Sequence, residues 1–324
     1  MGLRRDVRTG LKLLKARFTG KRIPLVVPIQ LTGRCNLDCD YCSFDGEEYE
    51  LGTEEVKDLL DELEELGTEK VVFTGGEPLV RNDIGTLVDY AKDRGLAVNV
   101  NSNGFSVPSR IDEIEDIDLL VLSLDGKKET HEKNRGEGSF DAVMRAASHA
   151  QEHGIKTRFT AVLTRESLED VPWLLQKAEE LGIPVNFQPV VQGGPKGVRK
   201  ENLPREKLDS ALEEIKEFKE ENPGLVSPST DTLEGLSRIY TAGGTIDCGR
   251  GRIAARVEGK EITPCARALP SERVEMEDGF ADAWESLSGD PECNYTCCTS
   301  SLELANVWNL KPRTILNQAL NGSY

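Results

Sequence analysis

The sequence predicts an α/β protein built on a parallel sheet flanked by helices, and three observations carry that prediction. Between residues 24 and 190, six short β-branched runs alternate with amphipathic helical stretches. Each strand–helix unit takes about 30 residues, which suits right-handed parallel crossovers. Gly67, Gly95, Gly154 and Gly182 each follow a helical stretch, where a C-terminal cap belongs.

Taken in order, the chain opens on a basic amphipathic stretch over residues 1–22. Arg4, Arg5, Arg8, Lys12, Lys15, Arg17, Lys21 and Arg22 accompany a single acid, Asp6, while Val7, Leu11, Leu14 and Phe18 recur at helical spacing. Strands are expected at 24–31, 70–74, 97–101, 119–124, 156–163 and 185–190. Helices are expected between them at 53–66, 83–94, 109–114, 140–153 and 168–181. In such a sheet the functional loops gather at the C-terminal ends of the strands. The Gly-, Lys- and Pro-rich stretch 192–200 leaves the sheet, and a charged helix is expected at 205–221. Beyond residue 223 turn formers become frequent, which reads as a smaller domain without strong secondary-structure signals. The expected division is 1–22, 23–200 and 201–324.

Composition narrows the function. A net charge of −17 argues against general nucleic-acid binding, which needs a basic footprint. No apolar run is long enough to span a bilayer, and residues 1–22 lack the pattern of a signal peptide, so a cytoplasmic location is expected. Eight cysteines fall into a front group of three and a rear group of five. In a reducing compartment such groups more often bind metal than form disulfides.

The front group is Cys35-Asn-Leu-Asp-Cys39-Asp-Tyr-Cys42, placed just after the first strand. Three soft thiolates suit an iron–sulfur cubane or zinc. Structural zinc wants a fourth protein ligand, and His131, His149 and His153 are remote in sequence. A cubane held by three cysteines leaves one iron open for chemistry. Zinc or an electron-transfer cluster completed from the tail is the alternative.

The Cys-x3-Cys-x2-Cys spacing, with aromatic Tyr41 before the last cysteine, resembles the radical S-adenosylmethionine (SAM) superfamily. That resemblance implies a partial (β/α)6 TIM-like barrel and a [4Fe–4S] cluster on Cys35, Cys39 and Cys42. The open iron chelates SAM, and reduction then yields the 5′-deoxyadenosyl radical, which abstracts hydrogen from substrate. Tyr41 is expected near the adenine. Gly75-Gly76-Glu77-Pro78, after the second strand, resembles the family's GGEP motif for the SAM amino group. Glycines permit close backbone approach, and a carboxylate partners an ammonium. Ser102-Asn103-Gly104 and Ser123-Leu-Asp125-Gly126, at the next two strand ends, resemble segments that contact the ribose and the methionyl carboxylate. Read alone, either is an ordinary turn. Arg135 occupies the place of an arginine that reaches the SAM carboxylate, and Gln188 is a candidate for the adenine pocket.

The rear cysteines, Cys248, Cys265, Cys293, Cys297 and Cys298, resemble the SPASM/twitch extensions that carry auxiliary clusters. A full SPASM domain needs seven cysteines, so five imply one auxiliary [4Fe–4S] cluster. Cys248, Cys265 and Cys293 would supply three ligands, and Cys297 or Cys298 the fourth. A structural zinc site is the alternative.

Such enzymes act on lipids, small molecules or peptides and draw electrons from a reductant such as ferredoxin or flavodoxin. A peptide maturase forming crosslinks is one reading within the class. A non-catalytic electron-transfer protein is the reading outside it. The 1–22 stretch admits two accounts: peripheral contact with an anionic membrane, or a helix capping the barrel with its cations paired to acids. The Gly20-Lys-Arg-Ile-Pro-Leu lead-in also resembles radical SAM enzymes of hopanoid side-chain extension.

Overall fold

A computed structural model describes residues 2–42, 49–190, 203–242, 249–265, 270–288 and 299–321. Helix α1 (Gly2–Thr19) precedes a run of parallel units: β1 (Val26–Gln30), α2 (Thr53–Glu65), β2 (Lys70–Thr74), α3 (Ile84–Asp93), β3 (Ala97–Ser102), α4 (Val107–Arg110), β4 (Leu119–Ser123), α5 (Lys128–Arg135), α6 (Ser139–Glu152), β5 (Thr157–Leu163), α7 (Val171–Leu181) and β6 (Val185–Pro189). The rear follows with α8 (Arg205–Glu221), α9 (Thr230–Ala242), β7 (Arg256–Glu258), β8 (Glu261–Thr263), β9 (Val274–Glu275), α10 (Phe280–Ser286), α11 (Thr299–Trp308) and α12 (Pro312–Asn321).

Strands run in the spatial order β6-β5-β4-β3-β2-β1-β7-β8-β9, with β1 to β6 all parallel. Both ends of that order stay apart, so the sheet is the unclosed barrel expected. On one face Val27, Ile29, Val71, Phe73, Val98, Val100, Leu120, Leu122, Phe159 and Phe187 are buried. Stripes of the helices cover them, as when α2 supplies Val56, Leu59, Leu60 and Leu63 at i, i+3, i+4 and i+7. Alternation sends residues such as Thr74, Asn101 and Ser123 to the other face.

The six expected strands agree with the structure to within two residues at each end. The four cap glycines all take positive φ. Three expectations need correction. The helix expected at 109–114 is instead the short α4 followed by a 3-10 turn, because Pro108 is accepted at a first turn. Helix α5 was not expected at all. The rear, expected to be poor in secondary structure, is mostly helical in its described residues, and β7 extends the barrel sheet by pairing in parallel with β1. Residues 192–200 lie outside the described residues.

Helix α1 lies at the N-terminal ends of the strands. Leu13 and Ala16 pack with Ile23, Leu25, Ile253 and Trp308. Arg8 and Lys12 both pair with Glu69, just before β2, and Lys12 also donates to the Gly67 carbonyl.

Candidate active site

The loop after β1 carries the front cysteines and is held from three sides. Gly76 N–H donates to the Thr32 carbonyl and Glu77 N–H to the Arg34 carbonyl, each at 2.9 Å. Asp40 N–H donates to the Asn134 carbonyl at the end of α5. Buried Arg81 donates to the Leu31 and Leu51 carbonyls, and Asp83 grips the rest of its guanidinium. The glycines of the 75–78 segment serve this clamp directly. A Cβ on Gly75, whose φ is +145°, would meet the Thr32 carbonyl oxygen at 2.4 Å, and one on Gly76 would meet that of Arg34 at 2.3 Å. Their smallness therefore lets two loops of the chain itself meet, a use beyond the ligand approach expected of them.

The two loops enclose a cavity of about 680 Å³ at the C-terminal ends of β1 to β4. Cys35, Cys39, Tyr41, Cys42, Gly75, Gly76, Glu77, Ser102, Asn103, Ser123 and Arg135 all line it. Pro78, Asp125 and Gln188 do not. Pro78 is buried as the first residue of a 3-10 turn, where its fixed φ and missing N–H suit the position. Gln188 accepts a hydrogen bond from Thr299 N–H at the start of α11 and donates to the Pro189 carbonyl. Thus its amide joins the barrel to the rear helices.

Asp125 is fully buried behind the cavity wall, with both oxygens engaged. Arg135 donates to it through Nε at 2.7 Å and Nη2 at 3.1 Å, Tyr41 OH at 2.6 Å, and Val162 N–H at 3.0 Å. Burial opposes ionisation of Asp125, but the Arg135 guanidinium outweighs it and holds the carboxyl below the usual range. Asp125 N–H donates to His131 Nδ1, and burial pushes that imidazole down to about 4, so it is neutral with its proton on Nε2. The direct ligand contact expected of Asp125 thus gives way to a positioning duty: it orients Tyr41 and Arg135, which do face the cavity.

Glu77 is also buried. Its oxygens accept from Leu79 N–H at 3.1 Å and Asn103 N–H at 2.7 Å, and burial still pushes its carboxyl up to about 7. Asn103 Nδ2 donates to Asn36 Oδ1, tying the third strand end to the cysteine loop. Arg34, Asn36, Thr74, Val80 and Asn101 also line the cavity and were not anticipated. For Asn101 a signal existed, since β3 reads Ala-Val-Asn-Val-Asn-Ser and amides inside a covered parallel strand depart from the usual apolar run.

Among the described residues no three His, Cys, Asp or Glu side chains converge on a single metal ion. Each cysteine of a cubane holds a different iron, so Cys35, Cys39 and Cys42 need only surround the cluster from their places along the cavity wall. Burial pushes the Cys39 thiol up to about 11, partly offset by Arg135, and raises that of Cys35. Such thiols give up protons when a bound cation compensates the charge. The donor set fits an iron–sulfur cluster. Of the rear cysteines, only Cys265, half-buried just after β8, is among the described residues. Cys248, Cys293, Cys297 and Cys298 lie outside them.

An unclosed parallel barrel with three cysteines and a cavity at the strand ends defines a class, and comparison with known proteins agrees. Residues 29–178 match the family model described as "Radical SAM superfamily", so this chain carries a radical SAM domain. Enzymes of that superfamily use a [4Fe–4S] cluster and SAM. The chain is 34% identical over 187 residues to Fe-coproporphyrin III synthase of Methanosarcina barkeri, a match covering 55% of this chain and 47% of that protein. It thus spans about half the length of that relative. It is 27% identical over 289 residues to the mycofactocin maturase MftC of Mycolicibacterium smegmatis, covering 85% of this chain and 73% of the maturase. The fold resembles the crystal structure of Streptococcus suis SuiB bound to S-adenosylmethionine, with a TM-score of 0.67 at 16% identity, over 95% of this chain and 70% of that one.

Proposed function

We propose that the protein is a radical SAM enzyme that reductively cleaves SAM in the cavity above β1 to β4. The observation that carries this reading is the lining of one cavity by Cys35, Cys39 and Cys42 together with Gly75, Gly76, Glu77 and Arg135. When bound and reduced, the cluster supplies the electron that converts SAM to methionine and the 5′-deoxyadenosyl radical. The chain's own residues do the rest by positioning. The 75–77 backbone holds the SAM ammonium, with Glu77 giving up its proton as that cation arrives. Arg135, steadied by Asp125, faces the carboxylate. Ser102, Asn103 and Ser123 offer hydrogen bonds to the ribose, and the Tyr41 ring packs at the adenine. The rear cysteines hold one auxiliary [4Fe–4S] cluster, and a flavodoxin- or ferredoxin-like reductant supplies electrons.

The substrate is a small molecule, a lipid or a peptide. A peptide maturase is the reading favoured within that set, because the likeness to MftC runs through the rear of the chain as well as the barrel. Anaerobic reconstitution with iron and sulfide, reduction, and assay for 5′-deoxyadenosine test the chemistry, with Cys39→Ala as control. Formation by wild type alone supports the reading. A loaded cluster that neither binds nor cleaves SAM under several reductants returns the protein to the electron-transfer class.

A further inference from the structure

Helix α1 buries one face and leaves another bare. Leu13 and Ala16 are buried, whereas Leu11, Leu14 and Phe18 are 63%, 39% and 80% exposed. Those three occupy positions i, i+3 and i+7 and so share one face of the helix. A single exposed leucine is ordinary, but an apolar row ending in an almost fully exposed phenylalanine is not. Cations flank the row: residues 8–22 hold Arg8, Lys12, Lys15, Arg17, Lys21 and Arg22 and no acid, in a chain of net charge −17. Arg8 and Lys12 are spent on Glu69, and Arg17 lies over the Trp308 ring. Lys15 and Lys21 are exposed and hold no ion pair among the described residues.

We propose that α1 is an interfacial helix that docks the protein on an anionic lipid bilayer. Leu11, Leu14 and Phe18 enter between the headgroups, while Lys15 and Lys21 meet lipid phosphates. An acidic protein surface would satisfy the lysines but offer the apolar row nothing, and a second α1 would set cation against cation. Repulsion between the bilayer and the rest of this acidic chain is screened beyond roughly 10 Å at 0.1 M salt, whereas α1 is in contact. Position argues against a docked reductant as well. Helix α1 packs on residues preceding β1 and β2, and the cysteine loop leaves the opposite end of β1, a five-residue strand spanning roughly 16 Å. A bilayer under α1 therefore leaves the barrel mouth turned away from it and open to substrate and reductant.

Sedimentation of the full chain with vesicles of phosphatidylcholine alone, or of phosphatidylcholine and phosphatidylglycerol in equal parts, tests the proposal. Binding to the anionic vesicles at 0.1 M salt that collapses at 1 M is expected, with weak binding to the neutral ones. Phe18→Glu should lower the partition coefficient at least about tenfold, and Lys15→Gln or Lys21→Gln by roughly fivefold each, on anionic vesicles only. Leu316→Glu, at an exposed apolar site on α12, should change nothing. An unchanged melting temperature of Phe18→Glu excludes misfolding as the cause. Equal binding to both vesicle types, no binding, or full affinity in Phe18→Glu would overturn it. So would loss of a dimer or of flavodoxin binding in that variant while vesicle binding stays the same.

Discussion

Two buried clusters of charged and polar side chains, one in the barrel and one among the rear helices, separate what a site needs from what a scaffold needs. In the barrel, Asp125 gathers Arg135, Tyr41 and a backbone N–H, and Arg135 and Tyr41 continue into the cavity wall. In the rear, Glu303 of α11 accepts from the Ser229 backbone and hydroxyl, the Thr232 hydroxyl and Gln318. Lys219 of α8 donates to the Val226 carbonyl and to Asn317 of α12. Both clusters satisfy their charges with hydrogen bonds, as burial requires. They differ in what lies beyond. One opens on a ligand space and presents two oriented groups to it; the other ties together α8, α9, α11 and α12.

The largest effect should come from breaking the barrel cluster. Asp125→Ala strands the Arg135 charge, a loss of about 3–5 kcal/mol for a buried pair. Urea unfolding measures that loss, and SAM affinity of the reconstituted protein should fall at least tenfold as Arg135 and Tyr41 lose their orientation. Glu303→Ala strands several donors and should cost a few kcal/mol, at about 1–3 per unsatisfied group. Its SAM affinity should stay within about twofold of wild type once folded. If Glu303→Ala weakened SAM binding as much as Asp125→Ala, the distinction between site and scaffold would fail.

Acidity and alkalinity should probe the two clusters separately. His131 is depressed to about 4, below its unfolded value of 6.5. Between those values the native imidazole binds fewer protons than the unfolded one, so its part of the stability falls as pH drops from 6.5 to 4, while Glu77, raised by burial to about 7, contributes with the opposite sign between 4.5 and 7. The His131 contribution is on the order of 3 kcal/mol, and His131→Gln should remove it, so that the variant loses less stability than wild type as pH drops from 6.5 to 4. Lys219, depressed by burial from 10.5 to about 8, has the same sign in another window: its part of the stability rises from pH 8 to 10.5. Lys219→Met should remove the alkaline slope alone. Chemical denaturation across pH reads both, and a single variant that removed both slopes would show the clusters to be coupled.

The same contrast explains what was legible in the sequence. The strands were, because β-branched runs such as Val71-Val72-Phe73 have one use in a covered parallel sheet. The three cysteines and the 75–77 segment were, because their chemistry depends on local spacing. The duty of Asp125 was not, since its partners Tyr41 and Arg135 come from other parts of the chain and only the fold joins them. Helix α11 was missed for a related reason. Its buried positions include Thr299, Ser301, Glu303 and Asn306, so the side chains that build the rear cluster interrupt the apolar period that announces a helix. The cations of residues 1–22 divided in a way that composition hides: Arg8 and Lys12 cap the barrel, and Lys15 does not.

The smallest and most discriminating change deletes one hydroxyl from each cluster. Tyr41 OH and Thr232 OH each donate to a buried carboxylate, Asp125 and Glu303 respectively. Tyr41→Phe and Thr232→Val keep volume nearly constant and remove that donor; Tyr41→Phe should cost about 1–2 kcal/mol by thermal or urea unfolding, and Thr232→Val somewhat more, because the Asn306 amide also donates to the Thr232 hydroxyl. Their effects on the site should diverge. In Tyr41→Phe the ring loses the bond that fixes it against the cavity beside Cys39 and Cys42, so SAM should bind about threefold to tenfold more weakly although the stability loss is the smaller of the two. In Thr232→Val the loss stays within the helical packing, and SAM affinity should not change. Equal affinities in the two variants would mean that Arg135 alone carries the link from Asp125 to the cavity, and that the Tyr41 hydroxyl belongs with the scaffold.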